Sequence, residues 1–138
     1  MKRVIVIGAG AAGMMAAIQA AKNGANVLLL EKTKQVGKKL SITGQGRCNI
    51  TNAAEVPEII AKITGNGVFL HSAIRAFDNE DVIYFFEHNG VPVKCERGKR
   101  IFPVSDKADD VVQAMLAKLH ELQVTIKTKQ QVKRILTQ

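Results

Sequence analysis

An α/β fold with helices covering a mostly parallel sheet is the class this sequence predicts. A short β-branched run, Val4 to Ile7, leads into glycines at 8, 10 and 13 and then an alanine-rich segment. A second apolar run, Val27 to Leu30, closes on the acid Glu31. Far downstream, Val111, Val112, Met115, Leu116, Leu119 and Leu122 repeat at helical spacing before the strand-like Val124 to Lys127. Strand, glycine turn, helix, strand, insertion, hairpin, helix and strand, in that order, make an α/β arrangement.

Val4-Ile5-Val6-Ile7 is continuous and apolar, as expected of a strand buried on both faces of a parallel sheet. Gly8, Gly10 and Gly13 follow in G-x-G-x-x-G spacing. In that pattern the first glycine permits the tight turn and the second lets a pyrophosphate approach the backbone. The third lets the next helix pack closely on the sheet. That helix is predicted over about Ala11 to Lys22, its N-terminal N–H groups and positive dipole end aimed at the phosphates. Asn23-Gly24 stops it. Glu31 lies 18 positions after Gly13, near the spacing of an acid that accepts from ribose hydroxyls. Glycine-rich turns without a ligand are the alternative, but here strand, helix, second strand and acid all follow in order.

From Lys32 to Ala54 no apolar period is sustained, and loops of this length inside a compact domain are uncommon unless functional or disordered. Gly37-Lys38-Lys39 offers backbone amides and cations near the carboxyl ends of both strands. Gly44, Gly46, Arg47 and Asn49 set two flexible backbone points beside a guanidinium and an amide, a combination suited to a flat, polar, partly anionic ligand. A solvated loop with incidental basic residues fits the composition equally well.

Short helices are expected over Val56 to Ile63 and Gly67 to Phe77. A third, Glu80 to His88, is capped by Asp78 or Asn79, with Val82, Ile83, Phe85 and Phe86 facing inward. Val91 to Lys94 and Arg100 to Phe102 read as a hairpin around Glu96-Arg97-Gly98-Lys99. Lys94, Arg97, Lys99 and Arg100 form a basic cluster at its tip, read as solvated. Pro103 breaks the second strand, and Ser105 or Asp106 starts a helix running to about Leu122. Gln131 to Ile135 is read as a final strand-like segment. His71, His88 and His120 lie without ligand spacing, and no nucleophile–base pair or catalytic carboxylate pair is visible.

The 138 residues amount to one domain of chain, 46% hydrophobic and 23% charged. Met1-Lys2-Arg3 ahead of an apolar stretch is the pattern of a signal peptide or anchor. Its alanines and central glycines fit a turn better than a spanning helix, so a soluble, cytoplasmic protein is expected. Cys48 and Cys95 match no metal-ligand or C-x-x-C spacing, and reduced thiols follow from a cytosolic setting. A net charge of +8 suits nucleic acid, an anionic cofactor or plain solubility. One Tyr, five Phe and no Trp are too few for stacking on single strands, so no nucleic-acid partner is expected.

These residues also carry a family resemblance. VIVIGAGAAGMMAAIQAA followed by LLLEK is similar to the N-terminal motif of flavoproteins with two dinucleotide-binding domains. GKKLSITGQGRCNITN and RIFPVSDKADDVV resemble signatures of the bacterial BaiN/YhiN-like, or aminoacetone-oxidase-like, FAD-binding flavoproteins. The similarity spans essentially the whole chain, and the GQGRCN block is its most specific part.

The resemblance implies a Rossmann-like FAD-binding region with a helical insertion and a small hairpin, and FAD rather than NAD as ligand. It implies a pyrophosphate over Gly8, Ala9, Gly10, Ala11, Ala12 and Gly13, and an adenosine ribose on Glu31 with Lys32 beside it. Gly37, Lys38 and Lys39 would meet the outer part of the cofactor. Thr43, Gly44, Gly46, Arg47, Cys48 and Asn49 would approach the flavin end, and Val132 would meet the adenine through its main chain. Family members continue into a substrate-side domain and a closing FAD segment. Residues 1–138 are therefore expected to be the N-terminal part of a discontinuous cofactor domain, inactive alone, of a flavin-dependent oxidoreductase. In the complete protein NAD(P)H and a small-molecule substrate would be its further partners. An NAD(P)-dependent dehydrogenase and a non-catalytic module that binds dinucleotides or anions are the alternatives.

Overall fold

A computed structural model describes residues 2–136. The strands are β1 (Arg3–Ile7), β2 (Asn26–Leu30), β3 (Thr51–Asn52), β4 (Val93–Glu96), β5 (Arg100–Pro103) and β6 (Thr125–Lys127). The helices are α1 (Ala11–Lys22), α2 (Lys38–Ser41), α3 (Val56–Lys62), α4 (His71–Ala76), α5 (Asn79–His88) and α6 (Ala108–Glu121). Two compact units result. One joins the segment up to Ile42 with the segment from Val112 onward, and the other is Thr43–Val111.

In the first unit β2 is the centre of a parallel three-stranded sheet, flanked by β1 and β6. The pairs Val4↔Val27 and Val6↔Leu29 lie on one face, and Ile5↔Leu28 and Ile7↔Leu30 on the other. The first face is packed: Val27 and Leu29 are buried with Met14, Ala17 and Ile18 of α1 and with Met115 and Leu119 of α6. The second is not, since Ile5 is 60% and Ile7 53% exposed. The expectation that β1 is buried on both faces is corrected by this. No element described within this unit covers the Ile5–Ile7 side, and the apolar run alone carries no record of which side is covered.

The second unit holds an antiparallel sheet in the order β3-β5-β4. Its core is Cys48, Ala54, Phe85, Phe86, Val91, Ile101, Phe102 and Val111. The hairpin expected here thus gains a third strand, β3, from the stretch read as a loop. Asp78 caps α5 as expected, its side chain accepting from the backbone of Glu80 and Asp81 while Asp81 accepts from the Asp78 N–H. The buried Asn79 donates to the carbonyls of Asn52 at 2.9 Å and Ala54 at 3.1 Å, tying α5 to the chain leaving β3.

The hairpin's first strand is Val93–Glu96 rather than Val91 to Lys94, and Pro103, expected to break the second, pairs with Val93 as its last residue; larger differences lie elsewhere. The segment from Gly67 to Phe77 is two elements, a 3-10 turn over Gly67–Leu70 and then α4. The last long helix begins at Ala108 rather than Ser105 or Asp106, because Asp106 sits at φ +56°, a left-handed conformation no helix can start from. Gln131 to Ile135 forms no strand, and Ile135 is 73% exposed. Backbone pairing ends with Lys129 donating to Thr33 and Gln130 donating to Glu31, and no described strand extends a ladder to the residues beyond.

Candidate functional site

The glycine turn is set by two close approaches. Gly8, at φ +96°, donates its N–H to the Leu30 carbonyl at 2.7 Å, bending the chain out of β1 toward the end of β2. Gly13 then brings α1 against that turn, where a Cβ would lie 1.8 Å from the Gly8 carbonyl oxygen. Gly10 differs from both. It precedes the helix at φ −82°, and a Cβ built on it meets nothing within 4 Å. The fold itself therefore does not require glycine at position 10. Open space over a helix N-terminus is what a ligand's approach requires.

No side chain caps α1, and its first turn carries no acidic residue. The helix's own first turn thus supplies no counter-charge to the positive end of its dipole. Ala11 and Ala12 open this turn and are exposed, and Ala9 beneath them is buried. Ala9 is the hub of the site. Its N–H donates to Glu31 Oε2 at 2.8 Å, and its carbonyl accepts from Gly37 N–H at 2.8 Å. The second Glu31 oxygen accepts from Thr33 N–H at 2.8 Å. Burial pushes the Glu31 carboxyl up, but the hydrogen bonds from the backbone of Thr33 and Ala9 outweigh it and hold the group below its ordinary value. Glu31 is therefore an anion in a fixed orientation. Two N–H donors occupy two of roughly four acceptor positions, which leaves the others for hydroxyl groups.

The first unit thus gathers Gly8, Ala9, Gly10, Ala11, Ala12, Gly13, Glu31 and Gly37 around Ala9. Lys38 and Lys39 follow in α2 and are exposed, as is Lys32. Gly37 packs tightly, since a Cβ there would lie 2.8 Å from a Val112 methyl and 3.5 Å from that of Met14. Val132 is half-buried, two residues after the Gln130 N–H that donates to the Glu31 carbonyl.

The second unit carries the other candidates, of which Cys48 is buried, Arg47 half-buried and Asn49 exposed. Cys48 is fully buried, which pushes its thiol up. With its amide turned so that the nitrogen faces them, Asn49 donates to the carbonyls of Thr51 at 3.0 Å and Ile101 at 3.2 Å. Arg47 donates from Nε to Asp106 Oδ1 at 2.9 Å, from Nη2 to the same oxygen at 2.6 Å, and to Glu96. Its guanidinium lies 4.3 Å from the centre of the Phe102 ring. What the loop leaves exposed is Gly44, Gln45, Gly46 and Asn49, with Thr43 and Arg47 half-buried beside them. Asp106 and Phe102 are the partners that sequence reading missed. The RIFPVSD block contains both, yet nothing in its spacing ties it to Arg47.

The basic hairpin tip is similarly engaged. Lys94 donates to Asp106 Oδ2 at 2.6 Å and Lys99 to Glu58 Oε2 at 2.9 Å. Among the described residues no helix is long and apolar enough to cross a membrane.

A parallel sheet, a glycine turn at a bare helix N-terminus and an acid closing the second strand together define a dinucleotide-binding α/β protein. Residues 2–138 match the family described as the HI0933-like protein Rossmann domain. The chain belongs to that family, the BaiN/YhiN-like FAD-dependent oxidoreductases. It is similar to the 3-dehydro-bile acid delta(4,6)-reductase of Clostridium scindens, with 36% identity over 93% of this chain and 31% of that protein. With the ribosomal RNA dihydrouridine synthase of Escherichia coli the identity is 32%, again over 93% and 31%. The chain thus spans about a third of the length of these curated relatives. The structure of Thermovibrio ammonificans THI4 shares the fold, at TM-score 0.56 and 15% identity over 93% of this chain and 38% of that one.

Proposed function

We propose that the first unit binds the ADP half of FAD, as part of a flavin-dependent oxidoreductase longer than this chain. The observation that carries this reading is the uncapped N-terminus of α1 beside an open Gly10, with Glu31 oriented through Ala9. The pyrophosphate would lie over Gly8 to Gly13, and the ribose hydroxyls would donate to Glu31. Lys32, Lys38 and Lys39 would supply positive charge, and Val132 would meet the adenine through its main chain. In the second unit, Thr43, Gly44, Gly46, Arg47, Cys48 and Asn49 form the loop assigned to the flavin. Bound FAD supplies the electron transfer, and the protein supplies binding and orientation. NAD(P)H as electron donor, a small-molecule substrate and a cytoplasmic setting complete the proposal. Residues 1–138 are read as the N-terminal part of a discontinuous domain with little turnover of its own, and the relatives they match are about three times as long.

The test is thermal. A ligand that binds only the folded chain stabilises it by about 2.7 kcal/mol at a hundredfold excess over Kd. FAD is expected to raise the melting temperature while NAD and NADP leave it unchanged. A rise with NAD(P) and none with FAD would sink the assignment.

Glu31 gives a second expectation. Glu31→Ala should weaken FAD binding by about 1–3 kcal/mol, the cost of removing one partner of a part-buried hydrogen bond. Glu31→Gln should cost less, because its amide oxygen still accepts. Fluorescence quenching of titrated FAD measures all three proteins, and equal affinities would remove Glu31 from the site.

A further inference from the structure

We infer that Arg47 is a positioning residue, holding the Gly44–Gly46 turn in its left-handed conformation through Asp106 and Glu96 instead of contacting a ligand itself. The inference rests on the assignment of the Thr43–Asn49 loop to the cofactor proposed above.

The loop's backbone calls for such a device. Gly44 (φ +56°), Gln45 (φ +58°), Gly46 (φ +84°) and Cys48 (φ +62°) all lie in the left-handed region. Glycine adopts it freely, but Gln45 and Cys48 do so against the clash of their own Cβ atoms. Two such residues within four positions persist only where the surroundings over-determine them. Within the loop Arg47 N–H donates to the Gly44 carbonyl at 3.2 Å, Cys48 N–H donates to that of Thr43 at 3.0 Å, and the Cys48 thiol bonds the Thr43 side chain.

The rest comes from side chains leaving the loop. Cys48 anchors one end in the core. Arg47 anchors the middle, bonding two carboxylates and covering Phe102. Lys94 completes the group by donating to the other Asp106 oxygen, so two cations face two anions. These side chains are 29–41% exposed, enough shielding for a network to outweigh the small effect of an isolated surface pair. The hydrogen bonds from Lys94 and Arg47 hold the Asp106 carboxyl below its ordinary value, and the bond from Arg47 does the same to Glu96. Asp106 is itself left-handed at φ +56°, which aspartate tolerates better than most residues. Arg47 commits Nε and Nη2 to protein carboxylates, while Gly44, Gln45 and Gly46 present backbone outward.

The experiment compares Arg47→Gln, Asp106→Asn and the double variant in the whole chain. Asparagine keeps the backbone preference of Asp106 while removing its charge and one of its two acceptor oxygens. Amide hydrogen exchange at Gly44 to Cys48 is expected to quicken about tenfold in each single variant, the equivalent of one charged hydrogen bond. The double variant should quicken exchange by less than the product of the two single effects, because the Arg47–Asp106 contact is shared while Arg47–Glu96 and Lys94–Asp106 are not. FAD affinity and the fluorescence of bound flavin should change equally in Arg47→Gln and Asp106→Asn. Unchanged exchange in both single variants would overturn the inference. So would a loss of FAD affinity in Arg47→Gln alone, which would mark direct contact with the ligand. Should the unaltered chain not bind FAD at all, the cofactor reading fails, and the exchange cycle still decides what Arg47 does.

Discussion

Replacing Gly13 by alanine is expected to destabilise the chain more than any other single methyl group added to the glycine turn. The new Cβ would lie 1.8 Å from the Gly8 carbonyl oxygen and 3.0 Å from its carbon. Both are backbone atoms, in a turn held by the Gly8 N–H bond to Leu30, so no flexible side chain can move aside. Relief requires α1 to lift from β1, opening the packing of Met14, Ala17 and Ile18. Overpacking of this kind costs about 3 kcal/mol or more at the severe end. Alanine returns only about 1 kcal/mol through its better helix propensity. The net loss is about 2 kcal/mol or more, a fall in melting temperature of roughly 5–10 °C for a domain of this size. Scanning calorimetry of the ligand-free protein measures it. A melting temperature within error of the unaltered chain would mean that α1 and the turn are not packed this closely.

Gly10→Val should separate binding from folding. The position is extended, at φ −82° and ψ −174°, which a β-branched residue adopts readily, and the added side chain meets no protein atom near its root. The melting temperature of the free protein should therefore hold. The same side chain would fill the space over the helix N-terminus and separate a pyrophosphate from its N–H donors. FAD affinity is expected to fall at least a hundredfold, or about 2.8 kcal/mol. A folded Gly10→Val chain with full affinity would show that the phosphates bind elsewhere. Set beside each other, the two glycines give opposite outcomes. One is required by the protein's own backbone, and the other is required only when a ligand is present.

Local chemistry made much of the first unit legible. The β-branched run, the G-x-G-x-x-G turn, the alanine-rich helix and the acid after the second strand are consecutive, and each is set by contacts within about thirty residues. Helix α1 occupies the expected Ala11–Lys22. The capped helix α5 and the hairpin also follow local rules: a side-chain cap, a tight turn and an alternating run. The GQGRCN block marked the family, because a motif of that length is specific whatever its residues do in space.

Long-range partners decided the rest. The sequence pattern could not reveal that Ile5 and Ile7 lie on an uncovered face, since an apolar strand looks the same whether one side is packed or two. Nor could it supply a partner for Gln131 to Ile135, because a strand exists only where another backbone offers its hydrogen bonds. The start of α6 was misread for a related reason: Asp106 has the composition of a helix cap, but its carboxylate is taken by Arg47, 59 positions away, and by Lys94. The same distance hides the work of Arg47. By composition it is a free cation beside two glycines, ready for an anion. In the folded chain its charge is already met, and only tertiary structure brings the two carboxylates to it.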